Sequence, residues 1–279
     1  MKINRIIILF ILIAFGSTLK SYAGGWPMRP GRLLLAPSVN YFFASKSWDA
    51  DGNLKSFNDN GKFTSFSSYL YTEYGINREF TFVASVPFLS NSFKSDNYNN
   101  TASGLGDVEA GLRYYFANID YRYYFSIQGS GIAPLYTDTD LGYKKYGAEI
   151  KLAFSGSGNV FGKNFYFNLE NGVRQYFGGD SGPIQDRYSG VFGITLDKKL
   201  HEQVSLGFSG TWSASSLKDF SENLSTNKDF SFVQATVGYG HSFNSSFTVF
   251  LSANQFLAGR NTGVGTSGAV SLIYRVDFR

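Results

Sequence analysis

The chain of 279 residues contains no cysteine, only two histidines and only six prolines. Without cysteine there is neither a disulfide framework nor a thiolate metal site. With only His201 and His241, histidine-based catalysis has few places to sit. Charge is sparse as well: Asp, Glu, Lys and Arg make up 16% of the chain, against roughly 25% in a soluble domain. Beyond the first residues no apolar run approaches the roughly twenty residues of a spanning helix. What the chain has instead is aromatic and small: 28 Phe, 19 Tyr and 31 Gly.

The start reads as an export signal. Lys2 and Arg5 give a positive segment, Ile6 to Phe15 an apolar one, and Ser21-Tyr22-Ala23 the small residues at a cleavage site. A membrane anchor is the alternative, and the apolar run is too short for it. Residues 1–23 are therefore expected as a signal peptide and residues 24–279 as a single domain. The signal holds Lys2, Arg5 and Lys20. Of 25 basic residues, 22 remain against 21 acids, so the basic balance belongs to the removed segment. Nucleic-acid binding loses its support with it.

The stretch Gly104 to Phe116 shows how the rest is built. From Asp107 onward Val108, Ala110, Leu112, Tyr114 and Phe116 alternate with Asp107, Glu109, Gly111, Arg113 and Tyr115. Period two is the signature of a strand with two unlike faces. About twelve such segments recur, near 33–48, 62–75, 79–90, 104–117, 120–133, 144–155, 163–175, 186–197, 203–215, 229–242, 246–258 and 264–279. Their greasy sets include Phe80, Phe82, Ala84, Val86 and Phe88, then Val204, Leu206, Phe208 and Trp212, then Val270, Leu272, Tyr274, Val276 and Phe278. Tight turns are expected at 76–78, 117–119 and 243–245. Long polar connections are expected near 49–61, 91–103, 134–143, 176–185 and 216–228. Export, aromatic wealth, no spanning helix and short turns alternating with long loops predict an all-β protein. The expected form is a transmembrane, antiparallel, up-and-down β-barrel of about twelve strands.

Taken strand by strand, the parity sends a polar set to the lumen. It comprises Tyr69, Tyr71, Glu73, Asp107, Glu109, Arg113, Arg122, Tyr124, Gln128, Glu149, Lys151, Tyr166, Asn168, Glu170, Arg174, Arg187 and Arg275. Folding about the expected turns sets Arg113 opposite Arg122 and Arg174 near Arg187. Like charges facing each other call for an anion or a carboxylate between them. One reading is a path for anionic solutes; the other, preferred because acids and bases nearly balance, is a network that stiffens the wall.

Other chemistries fit poorly. His201 falls in a turn, and Ser242 follows His241 on the opposite face, so no serine–histidine arrangement forms. Asp49-Ala50-Asp51-Gly52-Asn53 opens like a calcium loop but lacks its closing glutamate, and reads as a turn. Gly104-Leu105-Gly106 precedes a strand and is no phosphate loop. No enzyme, metal site or cofactor is expected. Trp26, Trp48 and Trp212 are expected to mark the interface girdles.

Three segments carry a family resemblance: Tyr71-Thr72-Glu73-Tyr74-Gly75, Val83-Ala84-Ser85-Val86-Pro87-Phe88, and Gly104 to Glu109 running on to Leu112-Arg113-Tyr114-Tyr115-Phe116. The chain resembles the outer-membrane proteins of Gram-negative bacteria grouped under meta-pathway phenol degradation. The likeness is strongest over residues 62–116. It departs at the terminus, which ends Asp277-Phe278-Arg279 rather than on an aromatic. It implies a passive or gated outer-membrane channel for small solutes, aromatic or hydrophobic ones included. Outer-membrane lipid, the solute and the barrel-assembly machinery would be its partners. A structural or adhesive barrel acting through its loops is the alternative.

Overall fold

The computed structural model describes residues 26–278 except 179–181, 198–200 and 222. The expected signal peptide lies outside the described residues. In chain order the strands are β1 (Arg32–Trp48), β2 (Leu54–Ser56), β3 (Lys62–Gly75), β4 (Phe80–Lys94), β5 (Asn99–Leu105), β6 (Asp107–Ile119) and β7 (Tyr123–Pro134). They continue with β8 (Gly147–Val160), β9 (Lys163–Tyr176), β10 (Ile184–Thr195), β11 (Glu202–Ala214), β12 (Phe230–Ser242), β13 (Phe247–Arg260) and β14 (Thr262–Asp277).

Each strand pairs antiparallel with its neighbours, and β14 returns to pair with β1 from Arg32↔Asp277 to Trp48↔Thr262. The ring is therefore closed. Two of the fourteen strands add nothing to its circumference. The short β2 is an extension folded onto the end of β1, and β5 and β6 share the partner β4 as one barrel strand. Twelve staves remain, as the alternation predicts. Within the fourth stave Phe88 faces Leu105 but Ser85 faces Glu109. One extra residue has entered at Gly106, whose N–H donates to the Pro87 carbonyl at 2.9 Å. This bulge lets Leu105 face outward while Asp107 faces in.

Side chains sort as period two demands. Leu206, Phe208 and Trp212 on β11 are 65%, 50% and 51% exposed on the outer wall. Phe82, Val86 and Phe88 on β4 and Leu112, Tyr114 and Phe116 on β6 are exposed in the same way. Inside, apolar clusters lie toward the two ends. Ala44, Phe57, Phe63 and Phe93 form one; Met28, Leu34 and Ile273 form the other, with Tyr71 and Phe250 against them. Between these clusters the interior is polar.

Both described chain ends sit at one end of the barrel, together with short turns such as 120–122 and 161–162; call this the turn end. The loop end carries 49–61, 135–146 and 215–229. Two expected connections move. Residues 117–119 belong to β6, and the turn is 120–122, with Asp120 and Tyr121 at φ 51 and 52. Strand pairing also continues through most of 91–103, leaving only 95–98 as a turn. Asp49 does make a turn. It accepts from Lys55, and its Oδ1 accepts the N–H groups of Asn53 and Asp51 at 2.8 and 3.0 Å. The Lys55 contact and the Asn53 N–H hold its carboxyl down at about 2.

Closure makes a direct prediction. Val39 and Val270 are partners across the β1–β14 seam, both facing outward. Replacing both with cysteine in this cysteine-free chain should give a disulfide on oxidation. The folded barrel would then shift in electrophoretic mobility only when unreduced. An open seam would leave both thiols free.

Candidate functional site

The polar belt is assembled by register. Reading around the wall at one height, Arg113 faces Gln128, which faces Lys151, which faces Gly172, which faces Arg187, which faces Thr211. One pleat toward the loop end lie Glu149 and Arg174, mutual partners. One pleat toward the turn end lies Glu170, opposite Ala153 and Ser189. A row of cations is thus bordered above and below by acids.

Arg113 is fully engaged. Its guanidinium donates to Glu73 at 2.8 Å, Gln128 at 3.1 Å and the Tyr71 hydroxyl at 3.0 Å. Tyr71 in turn donates to Glu73 at 2.6 Å. With the Arg113 and Glu73 side chains almost fully buried, this group ties β3, β6 and β7 together.

Glu149 is the second centre. Its Oε2 accepts from Arg174 Nε at 2.6 Å and from Arg187 Nη1 at 2.7 Å, and Lys151 Nζ stands 3.7 Å from Oε1. One carboxylate therefore sits among three cations. Arg174 also reaches Glu109, and Lys151 stands 3.4 Å from Glu170. Glu170 accepts from Asn168 at 2.8 Å, and Asp107 accepts from the hydroxyls of Tyr136 and Tyr176, each at 2.9 Å.

The centre is not filled. A cavity of about 410 Å³ is lined by Tyr71, Glu109, Arg113, Gln128, Lys151, Glu170 and Arg187, among others. A second, of about 230 Å³, shares Lys151, Glu170 and Arg187 with it. Between Lys151 and Arg187 the row carries Gly172, where a Cβ would lie 3.0 Å from Glu149 Oε1, so the glycine makes room for that carboxylate. The inward-facing Tyr69 is 39% exposed and the Arg187 side chain 40%, so both border open volume.

Two expected placements change. Arg113 faces Gln128, not Arg122. Arg122 lies exposed in the turn, its N–H donating to the Ile119 carbonyl. The cause is the displaced turn: the bulge at Phe116 and the continuation of β6 to Ile119 carry Arg122 off the wall. Tyr124 stays near the turn-end mouth, donating to the Tyr121 carbonyl at 2.9 Å. Arg174 and Arg187 do come together, on Glu149.

Both mouths are narrowed by groups the alternation did not single out. At the turn end, Trp26 to Gly31 crosses toward the lumen. The Tyr115 hydroxyl donates to the Trp26 carbonyl, and the Trp26 ring meets that of Tyr166 edge-on at 6.4 Å. Gly75 is needed for this approach, because a Cβ there would lie 2.2 Å from the Arg29 carbonyl oxygen. At the loop end, Tyr143 donates to the Asn227 carbonyl at 2.8 Å and Ser225 to the Asp140 carbonyl at 2.7 Å. These contacts lock 135–146 to 215–229. His241 and Ser242 take separate partners: His241 meets Glu202 at 2.6 Å, while Ser242 meets Thr248 at 3.1 Å in the buried interior. Among the described residues no three His, Asp or Glu side chains are placed to hold a metal.

Removing the shared carboxylate should be costly, because it leaves Arg174, Arg187 and Lys151 facing one another. Glu149→Gln is expected to destabilise the barrel by about 3 kcal/mol, typical of a broken buried ion pair. Glu79→Gln, at an exposed turn, should move stability by less than about 0.5 kcal/mol. Urea unfolding followed by tryptophan fluorescence gives both.

No family model matches the chain, and no curated protein matches it. Solved structures do. An outer membrane channel from Pseudomonas putida F1 superposes with a TM-score of 0.72 at 12% identity, covering 92% of this chain and 100% of that one. The translocator domain of the autotransporter NalP from Neisseria meningitidis gives 0.52 at 12% identity, over 98% and 94%. The beta domain of the Bordetella autotransporter BrkA gives 0.50 at 12% identity, over 88% and 99%. At these identities the likeness is one of fold, and the fold is the outer-membrane β-barrel.

Proposed function

We propose that the protein is an outer-membrane channel for small polar solutes, exported by cleavage after Ala23 and inserted as a single barrel. Its turn end would face the periplasm and its loop end the exterior. The apolar outer wall supports a lipid surround, since it exposes Leu206, Phe208 and Trp212 where a soluble barrel would expose charge. The observation that carries the reading is the open space inside the belt, about 410 and 230 Å³ bordered by Lys151, Glu170 and Arg187. A lumen built only for stiffness would be packed with side chains. Loop chemistry and the Trp26–Gly31 segment at the mouths support a gated rather than a wide pore. The channel reading leaves catalysis out. The resemblance to the phenol-degradation group supports polar aromatic solutes among them, for which Tyr71 at the cavity offers a ring surface.

A structural or adhesive barrel is the second reading, favoured by the hydrogen-bonded lock between 135–146 and 215–229. Planar-bilayer recording separates the two. The channel predicts discrete openings of small conductance. Starting the chain at Gly31 should raise the conductance several-fold, and Gly75→Val, which displaces the Arg29 carbonyl, should lengthen the openings. A folded barrel silent in every one of these forms contradicts transport and leaves the adhesive reading standing.

A further inference from the structure

The unsatisfied groups of the belt are unevenly distributed. Arg113 spends its donors on Glu73, Gln128 and Tyr71. Arg187 makes one side-chain hydrogen bond among the described residues, from Nη1 to Glu149, and the rest of its guanidinium borders both cavities. Lys151 reaches its two acids only at 3.4 and 3.7 Å, longer than a good charge-assisted hydrogen bond. Both cations flank Gly172, one on each neighbouring strand. Their backbones are therefore ~9–10 Å apart by strand spacing, and the Glu149 carboxylate reaches between them on the loop-end side, 2.7 Å from Arg187 Nη1 and 3.7 Å from Lys151 Nζ.

A lone anion does not suit this space. Glu170 borders both cavities, Glu109 the larger one and Glu149 the smaller, so an added carboxylate would meet existing ones in either. A lone cation meets Lys151 and Arg187 in the same way. In a confined volume of reduced dielectric these repulsions are weakly screened. A molecule carrying both charges avoids either cost. Its carboxylate meets Arg187 and Lys151 while its ammonium faces Glu170. The site's own poles are adjacent, with Lys151 Nζ 3.4 Å from Glu170, so the poles of the solute must be equally close, as in an α-amino acid.

We propose that the cavity bordered by Arg187, Lys151 and Glu170 is a binding subsite for a small zwitterion of the amino-acid type. Arg187 and Lys151 hold its carboxylate and Glu170 its ammonium. This names the solute class of the channel proposed above and rests on that reading for its physiological meaning.

The test reads binding, not transport, so that a closed pore and an absent subsite give different results. The detergent-folded full chain is titrated with serine, acetate or ethanolamine, and contact is followed by saturation-transfer NMR. Serine should give a saturable signal, with acetate and ethanolamine about tenfold weaker, as expected when one of two charge-assisted contacts is lost. Arg187→Gln should weaken serine by about tenfold, and Arg187→Lys by less, because the charge remains without the planar fork. Arg122→Gln, exposed in the turn, should leave serine unchanged, and circular dichroism shows whether each variant is folded. Absence of a saturable serine signal in the folded barrel overturns the proposal. So does acetate binding as tightly as serine, which would mark an anion site. An Arg187→Gln variant that still binds serine like the parent overturns the assignment as well.

Discussion

Closure of β1 onto β14 is the constraint from which the other features descend. A sheet with free edges exposes a row of unpaired N–H and C=O groups, and in hydrocarbon no water is present to satisfy them. Once the ring is closed, the backbones pair along the seam from Arg32↔Asp277 to Trp48↔Thr262, interrupted only at Ala36-Pro37 and at the irregularity between Ala44 and Ser47, and the side chains decide what each face touches. The outer wall can then be greasy throughout. Polar residues have one place left to go, which is inside, and there they must satisfy one another. The interleaving of Glu149 and Glu170 with the cation row follows from that demand.

Inside, the chemistry is layered along the axis. Apolar clusters around Phe63 and around Leu34 close off the polar belt toward each end. The belt itself contains two unlike arginines. Arg113 is saturated and fastens three strands; Arg187 shares an acid with two other cations and keeps part of its fork open. The same residue type thus serves wall and lumen in one ring. The difference lies in neighbours: Arg113 has Gln128 and Tyr71 beside it, whereas Arg187 has glycine at its partner position.

Much of this was legible in the residues. Strict alternation in Val204, Leu206, Phe208 and in Glu149, Lys151 assigns faces without further knowledge, because a period of two admits only two answers. Arg122 was misplaced because parity fails at a bulge, and neither the extra residue at Phe116 nor the left-handed pair Asp120-Tyr121 changes the hydrophobic pattern. The span 91–103 looked like a loop since its Asn, Ser and Thr side chains are polar on both faces, yet its backbone pairs. Trp26 read as a girdle residue, yet it turns in to meet Tyr115 and Tyr166, while Met28 and Tyr136 gave no signal: all three lie outside any strand, and the roles of the last two depend on long-range contacts with Leu34 and Asp107. Glycine at 172 is visible in the sequence, but its meaning appears only once the Glu149 carboxylate is seen to lie against it between Lys151 and Arg187.

The central claim is that this barrel is inverted relative to a soluble one, with lipid outside and water within. Thiol labelling tests it most directly. Ser189→Cys points into the belt and Leu206→Cys onto the outer wall, in a chain with no cysteine of its own. With the folded barrel in lipid vesicles, a membrane-impermeant, charged thiol reagent should modify Ser189→Cys and spare Leu206→Cys. Modification of Leu206→Cys with protection of Ser189→Cys would contradict the account.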